Sequence, residues 1–226
     1  MCCVRGKVSC MDRSSQIAST LLLVLLFALI PPHVLFASDT ILITAVYYDT
    51  YLPGKPDEAF RLMNASGSAV SLTDWTATDG EGIVTLPGAL DSGQSIWITR
   101  EAASFALEFG FAPDYEYGSD TDATVPNLTQ TGSVALANNG DQDILKDSGG
   151  TIVDSVVYEG ADPTGTGWSG RTIEPYGGTS IGVERFAILG PDEAEGFGIE
   201  GQILYRKPDQ ATGMPVPDTD TAADWA

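Results

Sequence analysis

From Ser38 onward, apolar and polar residues alternate in short runs that Gly, Asn and Asp residues separate. A period of two residues is typical of a β-strand with one buried face. The separators, such as NASGSA and KDSGG, supply residues that tolerate the positive φ of tight turns. Residues 101–109 are the one helix candidate, ended by Gly110 and Pro113. The predicted strands are 41–49, 59–64, 75–79, 82–86, 95–100, 133–137, 143–146, 151–158 and 180–185.

Short strands at this spacing predict an all-β fold, a sandwich of two antiparallel sheets. Trp75 and Trp97 lie inside alternating runs, and we expect them to fill the space between sheets that pack ~10 Å apart. A shift to Pro, Gly and acidic residues places the domain edge between Arg185 and Gly190. We therefore predict a leader (1–37), a sandwich (38–186) and an irregular C-terminal extension (187–226). The expected core neighbours of the two tryptophans are Leu72, Leu86, Ile96, Ile98, Leu136, Ile144, Val153 and Val156.

The N-terminus has the layout of a secretory signal peptide, because basic residues precede an apolar run over residues 17–37. Cleavage is predicted near Ser38. A run of about 20 residues can also span a bilayer, so an uncleaved anchor is the alternative. We expect a secreted protein, or one that residues 17–37 attach to a membrane, with no other membrane contact.

The chain is strongly acidic, with 31 acidic and 11 basic residues and a net charge of −20. Cleavage before Ser38 removes all three cysteines and the one histidine, and leaves 8 basic and 30 acidic residues, a net charge of −22. Such a field repels phosphate backbones, which argues against direct nucleic-acid binding. A mature chain without thiol or imidazole also lacks the commonest nucleophile and base. We predict that it is not an enzyme and has no catalytic residue.

Three motifs resemble enzyme signatures. Asp-Ser-Gly triplets at Asp91 and Asp147 resemble the paired loops of aspartic proteases, whose carboxylates share a proton. Both triplets fall at predicted turns, where Asp and Gly are favoured by the backbone alone, and Lys146 adjoins the second. GTGWSG, residues 165–170, has the spacing of a dinucleotide-binding loop, but Pro175 and the two glycines after it exclude the helix that such a loop needs. We interpret the triplets as turns and GTGWSG as a mobile loop.

Acidic residues cluster at four places, and these are the candidate metal ligands. Calcium takes about six to eight oxygen ligands from flexible loops, so a structural calcium ion is an alternative to a solvated acidic face. No EF-hand pattern is present, and spacing alone does not exclude a glycosidase pair. We predict no cofactor and leave the identity of any metal ligand open. The clusters are Asp114/Glu116, Asp120/Asp122, Asp141/Asp143 and Asp218/Asp220/Asp224.

Four segments carry a resemblance to a known family. They are ILITAVYYD (41–49), DEAFRLMNASGSAVSLTDWTATDGEG (57–82), TLPGALDSGQSIWITREAASFALEFGFAPD (85–114) and LANNGDQDILKDSGGTIVDSVVYEG (136–160). In this order they resemble the lamin tail domain, which also occurs in secreted bacterial and archaeal proteins. The resemblance implies an immunoglobulin-like β-sandwich that acts as a binding module or as a spacer and is not itself a catalyst. Its partner would be a protein or a cell surface.

The last stretch, ILYRKPDQATGMPVPDTDTAADWA (203–226), resembles a segment that precedes phospholipase D-like domains in some secreted proteins. Those enzymes need a His-x-Lys-x-x-x-x-Asp motif, which the mature chain lacks. Two hypotheses follow. The chain is a secreted, non-catalytic interaction or targeting module, or it is the N-terminal, non-catalytic fragment of a secreted phospholipase D-like or nuclease-like phosphodiesterase.

Overall fold

The alternating runs form strands in two five-stranded sheets and a two-stranded ribbon. The computed structural model describes residues 41–174, 201 and 203–226. The first sheet contains β1 (Ile41–Tyr47), β2 (Ala59–Asn64), β7 (Ser95–Thr99), β8 (Tyr115–Glu116) and β12 (Leu204–Tyr205). The second contains β4 (Thr76–Thr78), β5 (Ile83–Thr85), β9 (Gln130–Thr131), β10 (Gly140–Lys146) and β11 (Ile152–Glu159). The ribbon pairs β3 (Val70–Ser71) with β6 (Ala89–Leu90).

The strand order confirms the predicted sandwich. It is β12-β1-β2-β7-β8 in the first sheet and β11-β10-β4-β5-β9 in the second. Among these strands only β7 and β8 pair in parallel. Both sheets are open and face each other across one apolar core, which makes the fold an immunoglobulin-like β-sandwich.

The core between the sheets contains most of the residues that the sequence places there. Strand alternation turns Ile96 and Ile98 inward together, and β1 contributes Ile41 and Ile43. Ile144 is buried outside this cluster, whereas Val153 is only partly buried against it. The predicted neighbours that belong to the cluster are Leu72, Leu86, Ile96, Ile98, Leu136 and Val156.

The prediction that two tryptophans fill the space between the sheets is wrong for Trp97 and holds only in part for Trp75. Trp75 packs against the edge of the core. Trp97 lies between Ile96 and Ile98 in β7, so its side chain points to the outer face of the first sheet. The buried tryptophans are Trp168 and Trp225, both at the main core.

The predicted strand over 133–137 does not form, because carboxylates accept its backbone N–H groups. The N–H of Ala135 donates to Asp79 (2.9 Å), that of Leu136 to Glu58 (3.2 Å), and that of Ala137 to Asp141 (2.8 Å). The segment is therefore fixed by three side chains instead of a neighbouring strand. Alternation in the sequence does not show whether backbone N–H groups will bond to a neighbouring strand or to carboxylate side chains.

Helix α1 (Ala102–Phe109) confirms the predicted helix and packs on the outer face of the first sheet. It ends at Gly110, whose φ of 75° only glycine adopts readily, and the Gly110 N–H donates to Ala106. Phe105 is buried in a second, smaller cluster with Tyr47 and Ala59. Trp97 and Phe109 pack at its edge.

The C-terminal segment, residues 203–226, adds a strand to the first sheet. Leu204 and Tyr205 form β12 against β1, and a 3-10 turn, Ala222–Asp224, follows near the end of the chain. The predicted strand 180–185, the predicted domain edge and the leader lie outside the described residues. Within the described ranges, no helix has the length and hydropathy that a membrane crossing requires.

Candidate functional site

The two Asp-Ser-Gly triplets are tight turns, as predicted. The Gln94 N–H donates to the Asp91 carbonyl, and the Gly150 N–H to the Asp147 carbonyl, each at 2.9 Å. The Asp147 carboxylate also accepts the N–H of Thr151 (2.8 Å). This carboxylate caps its own turn, so the local backbone accounts for the second triplet without proton sharing.

The interpretation of residues 165–170 as a mobile loop is wrong in one respect. Pro175 and the two glycines after it, which we expected to exclude a following helix, lie outside the described residues, and the loop 165–170 itself contains no helix. It is nevertheless fixed at its centre, because Trp168 is buried in the main core and its indole N–H donates to the Arg171 carbonyl (3.0 Å). The next N–H, that of Ser169, donates to the Asp220 carbonyl (2.7 Å). The loop thus contacts the C-terminal segment, a role that the glycine spacing did not indicate.

Asp114 and Glu116 hold the first sheet and helix α1 together. Oδ2 of Asp114 accepts the Trp97 N–H (2.8 Å). Glu116 is fully buried, and its carboxylate accepts the N–H groups of Ala102 (2.8 Å) and Thr121 (3.0 Å). The first of these bonds satisfies a backbone donor at the start of the helix. This pair therefore has a structural use.

The next two acidic pairs divide between surface and interior. Asp120 is exposed, and Asp122 accepts the N–H of Thr124 (2.9 Å) within its own loop. Asp141 accepts the Ala137 N–H, whereas Asp143 is buried with no hydrogen-bond partner for its Oδ2. Burial raises the pKa of Asp143 well above its usual value, and nearby acids add to the shift.

The acids of the C-terminal segment surround one arginine, Arg206. Its side chain is buried between β1 and β11 and donates to both oxygens of Asp154 (2.6 and 2.8 Å), to Oδ1 of Asp218 (3.0 Å) and to the Ile43 carbonyl (3.0 Å). Its guanidinium carbon lies 5.1 Å from the ring centre of Trp225. Arg206 therefore ties the C-terminal segment to both sheets.

Asp154 is the central carboxylate of this cluster, and neither the motifs nor the acidic spacing pointed to it. Burial raises the pKa of Asp154 to about 8, although Arg206 and the N–H groups of Ile43 and Ser155 favour the charged form. Within the described ranges, the one acid group compact enough for a metal is Asp154, Asp218 and Asp220, with ligand atoms within 4.8 Å. Because Arg206 already supplies positive charge there, we interpret the group as an ion-pair network.

A polar pocket of about 410 Å³ opens at one end of the sandwich, where β7 passes into α1. Its wall includes the carboxylate-fixed segment at Ser133 and Val134. A Cβ on Gly118 would lie 2.6 Å from the Arg100 carbonyl, so only glycine permits this close approach. The remaining lining residues are Arg100, Glu101, Tyr117, Ser119, Asn127, Leu128, Gln130 and Gly132.

Arg100 is the one basic residue among the described residues that line this pocket, and its guanidinium makes no hydrogen bond to any of the described residues. Its nearest carboxylate oxygen is Oε2 of Glu58, at 3.6 Å. Burial raises the pKa of Glu58 to about 7, although Arg100 and the Leu136 N–H lower it. At neutral pH the Glu58 carboxyl is therefore only partly ionised, and its negative charge neutralises the positive charge of Arg100 only in part.

A second arginine, Arg61, lies on the outer face of the first sheet between two aromatic rings. Its guanidinium carbon is 5.6 Å from the ring centre of Trp97 and 5.8 Å from that of Tyr205. Its Nε donates to Thr44 Oγ1 (2.9 Å), and no described carboxylate lies within 4.0 Å. Cation–π contacts with the two rings therefore stabilise the half-buried Arg61 side chain.

Comparison with known proteins agrees with this architecture. The family model described as Lamin Tail Domain matches residues 36–160. The chain belongs to the lamin tail domain family. This is a family of immunoglobulin-like, non-catalytic β-domains, which confirms the resemblance drawn from the sequence. No curated protein matches the chain in sequence.

A solved structure supports the same fold. The crystal structure of a DUF4876 family protein from Bacteroides thetaiotaomicron VPI-5482 is similar, with a TM-score of 0.52 and 13% sequence identity. The match covers 83% of this chain and 70% of that one. At this level of identity the likeness shows the fold alone.

Proposed function

We propose that this lamin tail domain protein is exported and acts as a non-catalytic interaction or targeting module for a protein or cell-surface partner. The observation that carries the proposal is the use of the acidic residues. Of the clusters that the sequence offers for catalysis or metal binding, Asp114/Glu116, Asp141 and Asp218 all accept internal N–H groups. Carboxylates so engaged stabilise the fold and are poorly placed for acid–base work.

Binding is the function that such a sandwich leaves to its loops and exposed faces. The polar pocket and the outer face each present an arginine with no hydrogen-bonded carboxylate among the described residues. The net charge of −20 argues against nucleic acid as the partner. We further propose that the fold needs no cofactor, since Arg206 supplies the cation at the most compact acidic group.

Export is tested by recovering the protein from outside the cells of an exporting host and sequencing its N-terminus. Because a basic start precedes the apolar run 17–37, we expect the recovered chain to begin within a few residues of Ser38. Leu23→Arg, which interrupts the apolar run, should keep the chain inside, and Leu23→Ile is the matched control that should leave export intact. Exported material that still contains Cys10 would contradict the cleavage.

A further inference from the structure

The polar pocket has the chemistry of a site for a small hydroxylated acid. We propose that it binds the carboxylate of a sugar acid, such as a uronic acid, with the Arg100 guanidinium as the counter-charge. This inference rests on the proposed function, because it names the ligand class of the interaction module. It concerns a site at the β7–α1 end of the sandwich, apart from the Arg206 ion-pair network.

The Arg100 guanidinium keeps its N–H donors available for a carboxylate, because its ion pair with Glu58, at 3.6 Å, is longer than a hydrogen bond. Its side chain is 37% exposed, and no described side chain accepts a hydrogen bond from its guanidinium. A planar guanidinium presents paired N–H donors that match the two oxygens of a carboxylate. Glu58, the nearest acid, lies at 3.6 Å and is almost fully buried, so it approaches Arg100 from the interior of the sandwich.

The remaining polar groups of the pocket suit hydroxyls. The side chains of Ser119, Asn127 and Ser133 are exposed and make no hydrogen bond to the described residues. Hydroxyl and amide groups both donate and accept, which is what sugar hydroxyls require. Arg100 disfavours a cationic ligand, and a lining with so few apolar side chains offers little to an apolar one.

The acidity of the whole chain does not exclude a carboxylate. Glu101 lines the pocket beside Arg100, and its Oε2 accepts the Ser104 hydroxyl of helix α1 (3.3 Å). Repulsion by more distant acids is screened over about 8 Å at physiological ionic strength, whereas a contact with Arg100 is not. One arginine in a chain of net charge −20 provides little for a phosphate, which usually recruits several donors or cations. A single-charge, hydroxyl-rich acid therefore fits better than a phosphorylated ligand.

The test is a calorimetric titration of the exported protein with D-glucuronate. The comparison probes are glucuronic acid methyl ester and D-glucose, which lack the charge, and acetate, which lacks the hydroxyls. Oligomers of galacturonate distinguish a polysaccharide source from a free sugar acid. Arg100→Gln removes the guanidinium, and Asn127→Leu removes an amide but leaves the Arg100–Glu58 contact intact. Arg171→Gln is the matched control, since its side chain is 86% exposed and does not line the pocket.

We expect glucuronate to bind at least about tenfold more tightly than the ester, glucose or acetate, a difference of about 1.4 kcal/mol. Arg100→Gln and Asn127→Leu should each weaken binding, whereas Arg171→Gln should not. The thermal midpoint of each variant shows that it is folded. Absence of saturable binding, or equal binding to folded Arg100→Gln, would overturn the pocket proposal without touching the proposed function. Hydrolysis of a bound oligomer would overturn the proposed function instead.

Discussion

Replacement of Arg206 by Met is the perturbation with the largest expected effect on stability. Among the described residues, Arg206 is the one cation in contact with Asp154, and its side chain is fully buried. Met has a similar length but cannot donate to Asp154, Asp218 or the Ile43 carbonyl. The change therefore leaves a buried carboxylate without its counter-charge and the C-terminal segment without its central contact.

Removing one partner of a buried ion pair costs about 3 to 5 kcal/mol, and domains of this size unfold at about 5 to 15 kcal/mol. Without Arg206 the pKa of Asp154 rises further, so the folded variant binds a proton more tightly than the unfolded chain. The stability of the variant is then greatest below the pKa that Asp154 has in the unfolded chain, and it falls as the pH rises to the pKa that Asp154 has in the folded variant. In the wild type the folded pKa of Asp154 is already about 8, so the two folded proteins differ in protonation only above that pH. We therefore expect the defect to be larger at pH 9.5 than at pH 7.

Urea unfolding at both pH values measures this effect. Arg171→Met is the control, because its exposed pair with Glu174 should contribute at most about 1 kcal/mol. Adding Asp154→Asn to Arg206→Met should recover part of the loss, since it removes the uncompensated charge. Equal midpoints for Arg206→Met and Arg171→Met would refute the role that we assign to Arg206.

Three further predictions test other parts of the structure. Burial raises the pKa of Glu58 from 4.5 to about 7, so the folded state loses about 3 kcal/mol of stability as the pH rises from 4.5 to 7. Urea unfolding of Glu58→Gln at pH 5 and pH 8 should show that this pH dependence is gone, and an unaltered pH dependence would contradict the assignment. Trp225→Ala should lower the free energy of unfolding by about 3 to 5 kcal/mol, and Trp75→Ala should lower it less, because of these two only Trp225 is buried in the core. Thermal unfolding measures both, and a larger loss for Trp75→Ala would contradict the assignment of Trp225 to the core. Gly118→Ala should cost about 1 to 3 kcal/mol, since its Cβ would meet the Arg100 carbonyl, and an unchanged midpoint would exclude that close approach.

The sequence predicts the fold well because the sandwich depends on alternation and turns, both of which are local. β2 forms at its predicted bounds, and helix α1 begins one residue later than predicted. The two-residue strands, such as β8 and β12, escape prediction because a run of two carries no period. Alternation also led us to place Trp97 on the wrong face of β7, since both faces of a strand carry apolar residues when a helix covers the outer one.

The site is less predictable because it depends on contacts between distant residues. Asp154 and Arg206 are 52 positions apart, and nothing in either local pattern indicates that they meet. The acidic clusters were visible in the sequence, but the backbone N–H groups that they bind were not. Arg100 ends a predicted strand, and only the fold shows that its guanidinium faces a pocket with no hydrogen-bonded acid among the described residues.

Hydrolysis by the exported protein is the measurement that tests the non-catalytic account most directly. Phosphodiester, peptide and glycoside substrates should be assayed with calcium, magnesium and manganese, and again with chelator, because a metal held by carboxylates can activate water without histidine. We expect no turnover under any of these conditions, since Asp218 and its neighbours are bound to Arg206. Phosphodiester turnover that disappears with chelator and with Asp218→Ala would contradict the account.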